Sequence, residues 1–440
     1  MKKLFSDYGM LLVLLVLCVL FSALTVTTQH PGGEEGARDL LKQIAKSQPD
    51  GGRVLVATRD TQEDGEFSAL LEKELTADGY EVVLVSGQAT DALKALKELV
   101  EQGQQLDVIA CTSESAGWLV FEDVAGDHPK LGAPVLLKPE SYRWPVFLNK
   151  QNLLNISNQI AVIAILAIGM TMVIIAGGID LSVGSLIALS AILTTWLIRE
   201  TAGAVDADAF GMMFSSLGGI LACGLVGLFT GLMVTVFRVP PFIVTLGMML
   251  VASGVAYTVA EGLSIHQVPD SFVWLGRGAD FLSIPNAVVL MLLLYGAAHY
   301  MMSHMKMGRF LYAVGGNEEA ARLSGVPVRR VLLFAYVCAG LLAGLGGVVM
   351  ASQLKSGSPT YGQMYELYTI AAVVVGGTSL MGGEGKMIGT LIGAFIIAVI
   401  QNGMNLIGVE PYTQKIVLGA VILIAVWLDK VKQGAVGKGK

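Results

Sequence analysis

The chain has 440 residues, of which 54% are hydrophobic and only 15% charged, with 53 glycines and a mean hydropathy of +0.65. That exceeds what a soluble core of this size uses, so the composition describes a polytopic membrane protein and excludes a water-soluble one. Four cysteines, Cys18, Cys111, Cys223 and Cys338, three of them inside apolar runs and none in a CxxC pair, argue against a disulfide framework and against a metal site.

Runs close to the ~20 residues that cross a bilayer as helix lie near 9–26, 153–176, 183–199, 212–236, 241–260, 285–304, 331–351, 367–380, 387–407 and 413–428. The expected fold class is therefore mainly α, a polytopic bundle of about ten transmembrane helices, interrupted by one small α/β insert. The domain plan is a first span (1–28), an insert (29–143), a membrane core (144–432) and a short tail (433–440). The first span follows Met1, Lys2 and Lys3 and reads as a retained anchor rather than a cleaved signal peptide, since no A-x-A site follows it.

Residues 29–143 carry 21 Asp and Glu against 11 Lys and Arg, a net charge of −10, whereas the rest of the chain carries +4. Within them "RVLVAT" (53–58), "EVVLVSG" (81–87) and "DVIACT" (107–112) read as strands that alternate with helical stretches at 66–80 and 91–105. Alternation of this kind predicts a parallel sheet. The turns hold neither GxGxxG nor GxxxxGK[ST], so no nucleotide site is expected, and the insert reads as an accessory or docking domain.

With ten spans and the N-terminus inside, 13 of the 18 Lys and Arg outside the insert fall in cytoplasmic segments and five in external ones. The asymmetry satisfies the positive-inside rule. Both termini are then cytoplasmic and residues 29–143 external.

After the second run, "GGIDLSVGS" sets Asp180 beside Gly177 and Gly178, with Ser182 two residues on. A carboxylate at mid-bilayer costs about 2.5–3.5 kcal/mol on insertion scales, so Asp180 faces protein, water or the membrane edge. Two roles stay open: Asp180 and Ser182 cap a broken helix, which is the preferred reading, or they line a solute path. The amides of Asn158, Gln159, Gln401, Asn402 and Asn405 are the other groups that could meet hydroxyls on such a path, each against a competing role in helix packing.

Residues 315–330, "GGNEEAARLSGVPVRR", form a charged interruption in the longest cytoplasmic loop. Asn317 is a good N-cap, Glu318 and Glu319 occupy the first turn, Arg322 stands four residues after Glu318, and Gly325 and Pro327 close the helix. Two turns are too short to be stable alone in water, so the helix is expected to dock on a cytoplasmic partner.

Farther on, "GGTSL" (376–380) and "GTLIGA" (389–394) echo "GGIDL" (177–181) and "GSLIAL" (184–189), which suggests an internal duplication of undetermined sense. The nearby "GGEGKM" is no phosphate loop, because Leu380 stands where the first Walker glycine belongs and Met387 where Ser or Thr would follow the lysine.

The stretches "GGNEEAARLSGVPV", "AIGMTMVIIAGGIDLSVGSLIALSA" and "AAVVVGGTSLMGGEGKMIGTLIGAFIIAVIQNGMNLIGV" closely resemble permease subunits of ribose-type ABC importers. The resemblance covers the first span and about 145–432, leaves out the insert, and implies that the 315–330 loop holds the helix that couples to the ATPase. On that footing Gly315, Gly316, Asn317, Glu318, Glu319, Arg322, Leu323, Ser324 and Gly325 are the coupling candidates. Gln159, Gly177, Gly178, Asp180, Ser182, Gly376, Gly377, Asn402 and Asn405 are the path or helix-break candidates.

The resemblance further implies an inner-membrane location, no cofactor of its own since ATP is bound by the partner ATPase, an extracytoplasmic solute-binding protein, and a second permease copy or paralogue. No nucleic-acid partner and no enzymatic activity are expected. More weakly, the insert resembles part of one lobe of a sugar-binding periplasmic protein, and a single lobe is not expected to close on a sugar. An ion-coupled transporter would carry ionisable groups deep in its spans, where Asp180 stands nearly alone, and a receptor would need a cytoplasmic output domain that no internal loop is long enough to supply.

Overall fold

The computed structural model describes residues 2–49 and 51–437; Met1, Asp50 and residues 438–440, the end of the expected tail, lie outside the described residues. The chain divides into two compact units, 1–25 with 146–440, and 26–145.

The first helix, α1 (Lys2–Leu24), belongs to the larger unit. The smaller unit follows with β1 (Val26–Gln29), α2 (Gly33–Ser47), β2 (Arg53–Thr58), α3 (Gln62–Ala77), β3 (Glu81–Ser86), α4 (Ala89–Glu101), β4 (Val108–Cys111), the single turn α5 (Val124–Asp127), β5 (Val135–Leu137) and β6 (Tyr142–Pro145). Strands β3, β2, β4 and β5 pair in that order, all parallel. A sheet covered on both faces needs strands apolar throughout, and five of the six residues of β2 are buried. Val54, Val56, Val108 and Ala110 pack with Leu40, Ile44, Phe67 and Leu71 of α2 and α3, while Leu55, Ala57, Ile109 and Cys111 pack with Leu96 and Leu99 of α4. The parallel sheet expected from the alternation is present, enlarged by β5. A separate antiparallel ladder pairs the two ends of the unit, Val26 with Pro145 through Gln29 with Tyr142.

The larger unit continues with α6 (Lys150–Ile175), α7 (Val183–Thr201), α8 (Ala209–Thr235), α9 (Pro241–Val259), the turn α10 (Trp274–Arg277), α11 (Asn286–His304), α12 (Lys306–Gly316), α13 (Glu318–Leu323), α14 (Val328–Leu354), α15 (Tyr365–Val375), α16 (Met387–Leu406) and α17 (Pro411–Gly437). Among the described residues seven helices are long and apolar enough to cross a membrane, and three shorter apolar stretches, Gly9–Leu24, Tyr365–Val375 and Pro411–Ile424, occupy the other expected spans.

Helix α14 is central and packs on α6, α7 and α8. Small residues set the approach: a Cβ on Gly340 would press on the Cys223 carbonyl, and one on Gly344 on the Ile220 backbone. Without a hydrophobic driving force between helices in lipid, such close backbone contact is what holds a membrane bundle together. Helix α1 lies against α16, with the Phe21 ring over Gly403 and stacked at 6.2 Å on Phe147.

The run expected to span at 367–380 is helical only from Tyr365 to Val375. Eleven residues at 1.5 Å each reach about 16 Å, half of the ~30 Å hydrocarbon thickness. The other half is supplied by a non-helical, turn-rich segment, residues 356–364, that runs antiparallel to α7. Gly357 lies against Ala191 and Gly362 against Gly184, seven residues earlier in that helix. Backbone without helical partners is tolerated at such depth only inside protein or beside water. The segment meets this through buried Ser356 and Ser358, the bond between Ser356 Oγ and Tyr361 Oη (2.5 Å), and left-handed turns at Gly362 and Met364.

Candidate functional site

Three features converge in the membrane unit: two glycine turns, the α12–α13 loop and a cavity. The glycine turns are near copies. At the end of α6, Gly177 N–H donates to the Ile174 carbonyl and Gly178 N–H to Val173. At the end of α15, Gly377 N–H donates to Val374 and Thr378 N–H to Val373. Gly177 and Gly377 carry φ of +86° and +83°, a conformation that costs glycine little and other residues more.

Both turns lie at the same end of the bundle, joined by Gly383 N–H donating to the Ile175 carbonyl at 2.9 Å, and Thr171 Oγ1 meets Thr390 Oγ1 at 2.8 Å between α6 and α16. The hairpins α6–α7 and α15–α16 therefore run in the same sense, which resolves the sense of the repeated motif as parallel.

Asp180 is buried within the first turn, where its Oδ1 accepts from Ser182 N–H (2.9 Å) and Ser182 Oγ (2.6 Å). Thr245 Oγ1 of α9 donates to the Ile179 carbonyl beside it. The carboxylate is thus engaged in the turn that starts α7, and it does not line the cavity described below.

Gly315 and Gly316, expected at the head of the coupling loop, instead end α12. The correction has a packing cause. Gly315 sits where a Cβ would overlap the Ile175 carbonyl, and Tyr312 Oη donates to the Gly385 carbonyl at 2.8 Å, so α12 is seated on the end of α6 at the first glycine turn and on the 382–385 loop that follows the second. Helix α13 projects from that seat. Asn317 Oδ1 accepts from Ala320 N–H at 2.9 Å; at the other end Val326 N–H donates to Ala321 and Gly325 N–H to Arg322, with Gly325 at φ +84°. A six-residue helix capped at both ends by side chain and left-handed glycine has its shape without needing length. Arg322 pairs with Glu319 at 2.5 Å rather than with Glu318, although both spacings put the acid on the same face as the guanidinium. Ala321 is buried against the bundle, whereas Glu318, Glu319, Leu323 and Ser324 are exposed.

The amides are placed elsewhere. Asn402 and Asn152 exchange two hydrogen bonds (2.9 and 3.1 Å), Asn405 accepts from Gln414, Asn158 donates to the Gly276 carbonyl and accepts from Gln353, and Gln159 is exposed on α6. None of these lines the cavity. Asn402, Asn405 and Asn158 serve packing and loop closure, because an amide in an apolar bundle satisfies itself on the nearest helix.

A cavity of about 340 Å³ lies between α7, α9, the turn-rich segment and the start of α15. Ser185, Ser253, Tyr361, Gln363 and Glu366 are its polar lining, with Gly184, Ala188, Met249 and Leu250 among the apolar one. Sequence reasoning missed all five polar residues. The signal available was Pro359 and Gly362 interrupting the chain just before an apolar run, with Glu366 at its start.

The chain is a helical membrane bundle with two same-sense hairpins, and its family match identifies it as a transmembrane transport permease, not an enzyme. The sequence family described as "Branched-chain amino acid transport system / permease component" matches residues 152–426. The ribose import permease protein of Escherichia coli is 44% identical over 307 residues, covering 68% of this chain and 92% of that protein. Its Bacillus subtilis counterpart is 42% identical over 306 residues (69% and 92%), and the D-allose transport system permease protein of Escherichia coli 34% over 284 residues (64% and 85%). No solved structure matches. The chain belongs to this family of ABC importer permeases, in its ribose-type group.

Proposed function

We propose that the chain is the membrane-spanning subunit of an importer for a sugar of the ribose class, working as a dimer with a second permease copy or paralogue in the inner membrane. A separate cytoplasmic ATPase binds the ATP, and a soluble solute-binding protein delivers the sugar from the outer side. The names of the relatives, which handle ribose, allose and xylose, support the substrate class. The observation that carries the mechanism is the seat of α12 on the end of α6 and on the 382–385 loop between α15 and α16. Force applied to α13 by an ATPase reaches the end of α6 and the loop between α15 and α16 together through backbone contacts at Gly315, Gly382 and Gly383, which do not yield as flexible side chains do. The −10 charge and separate core of residues 26–145 support an external accessory domain that modulates docking of the binding protein.

The test is co-purification followed by uptake of labelled D-ribose in proteoliposomes. Replacing Gly325 by proline forces φ from +84° to about −65° and removes the C-cap, and replacing Glu319 and Arg322 together by alanine removes the pair on the exposed face. Both variants should insert normally and lose ATP-driven uptake. Normal uptake by the double variant at normal expression would sink the coupling assignment.

A further inference from the structure

We propose that the cavity at the foot of the turn-rich segment 356–364 is a sugar-binding constriction on the solute path, with the Glu366 carboxylate and the Gln363 amide as its hydroxyl-binding groups. The inference rests on the importer reading above and adds to it the site at which the membrane subunit itself meets the solute.

Four observations carry it. At about 340 Å³ the cavity falls in the range of small-molecule pockets, which hold a few placed polar groups in an otherwise apolar lining. Four of its five polar members are available, Tyr361 being bonded to Ser356: among the described residues Ser185, Ser253 and Gln363 have no side-chain hydrogen-bond partner, and Glu366 accepts from its own backbone N–H with no Lys or Arg beside it. Gly184 stands at the start of α7 with the Glu366 carboxylate and the Gly362 carbonyl against its Cα, so no side chain intrudes between Glu366 and the opening turn of that helix. Lastly, Gln363 is exposed and Glu366 half-buried roughly midway along the bundle, beside exposed Leu250 and Met364. An exposed amide and a carboxylate at that depth cannot face lipid and must face protein or a water-filled space. In this reading the water-filled space at the cavity mouth is the solute path.

The chemistry suits a neutral polyol. A carboxylate accepts from two neighbouring hydroxyls, an amide both accepts and donates, and serine hydroxyls adapt to either role. Hydrogen bonds to a charged acceptor are the stronger ones, which lets a single carboxylate compensate the water lost by a sugar on entering an apolar bundle. With no cation beside it, the same carboxylate gives an anionic solute no purchase.

The experiment uses the full importer in proteoliposomes with D-ribose, D-xylose and D-allose as probes. Glu366→Leu should lower sugar imported per ATP hydrolysed about tenfold or more, as expected when a polar site loses its charged partner, and Glu366→Gln, which keeps an acceptor, should recover part of it. The thermal midpoint of the purified complex should stay near wild type in both. Ser253→Cys should react with a water-soluble methanethiosulfonate reagent above the wild-type background, and more slowly while D-ribose is being transported. The inference is overturned if Glu366→Leu imports normally, if uptake and thermal midpoint fall in parallel as for a mere helix cap, or if Ser253→Cys stays unlabelled. Should the wild type import none of the three sugars while Ser253→Cys still labels, the importer reading fails and the water-filled constriction stands.

Discussion

Gly315 and Gly316 are adjacent, share one helix and differ by a single environment, so alanine at each tests the seat of α12 in one stroke. A Cβ on Gly315 would overlap the Ile175 carbonyl and approach the Gly383 amide at 2.6 Å, both of them backbone. A Cβ on Gly316 would meet nothing within 4 Å. Alanine at Gly315 gains up to about 1 kcal/mol of helix propensity but costs roughly 1–3 kcal/mol of overpacking. Separating the parts also loses the Gly383 N–H bond to the Ile175 carbonyl, worth about 1 kcal/mol. The net penalty is about 2 kcal/mol, which shifts the balance between a seated and an unseated α12 about 30-fold. Gly316→Ala carries only the propensity gain. Sugar-stimulated ATP hydrolysis, uptake and thermal midpoint of the reconstituted importer should therefore drop for Gly315→Ala, while the midpoint for Gly316→Ala equals or exceeds wild type. Equal behaviour of the two variants would refute the argument that α12 is keyed to the end of α6 and the 382–385 loop through this contact.

Asp180→Leu strips the partner from Ser182 N–H and Oγ, leaving two buried groups unmatched at a cost of roughly 2–4 kcal/mol. The complex should melt earlier with its sugar preference intact, and a stable variant with an altered preference would show that Asp180 lines the path. Because Gln29 pairs directly with Tyr142, replacing residues 30–141 by Asn-Gly closes a two-residue hairpin. The membrane unit should still assemble with its ATPase and respond less to the binding protein; wholly unchanged transport would remove the smaller unit from the cycle. That unit has one cysteine, Cys111, fully buried, with burial pushing its thiol up to about 12. An excised fragment 26–145 should resist a thiol-specific chromogenic reagent at pH 8 and react on adding urea, whereas immediate reaction would show that it does not fold alone.

Hydropathy and capping made much of the structure readable. The apolar runs, the strands at 53–58 and 81–86 and the caps of α13 rest on patterns within a few residues of one another, which local physics decides. The half-helix α15 was not readable in that way. Hydropathy counts apolar side chains, and residues 367–380 have enough of them; the break depends on left-handed turns at Gly362 and Met364 and on α7 lying alongside. With the break went Glu366, which seemed to fall outside a span. The three-residue strand β5 and the β1–β6 ladder were missed because each exists only through a partner 27 or more residues away. Arg322 chose Glu319 over Glu318 by a preference too small for spacing to rank.

The packing of α1 on α16 has a consequence for how the protein is made. Phe21 rests on Gly403, which leaves the ribosome 382 residues later. At about 5–20 residues per second that interval is roughly 20 to 75 s. Within it α1 gains Phe147 as a partner, while the α16 face on which it finally rests is still to be translated. Its lipid-compatible surface, with Leu15, Val16 and Val19 all more than half exposed, lets it wait. The first helix is thus fully seated only when one of the last is made, and a truncation upstream of α16 would leave it with Phe147 but without the face of α16.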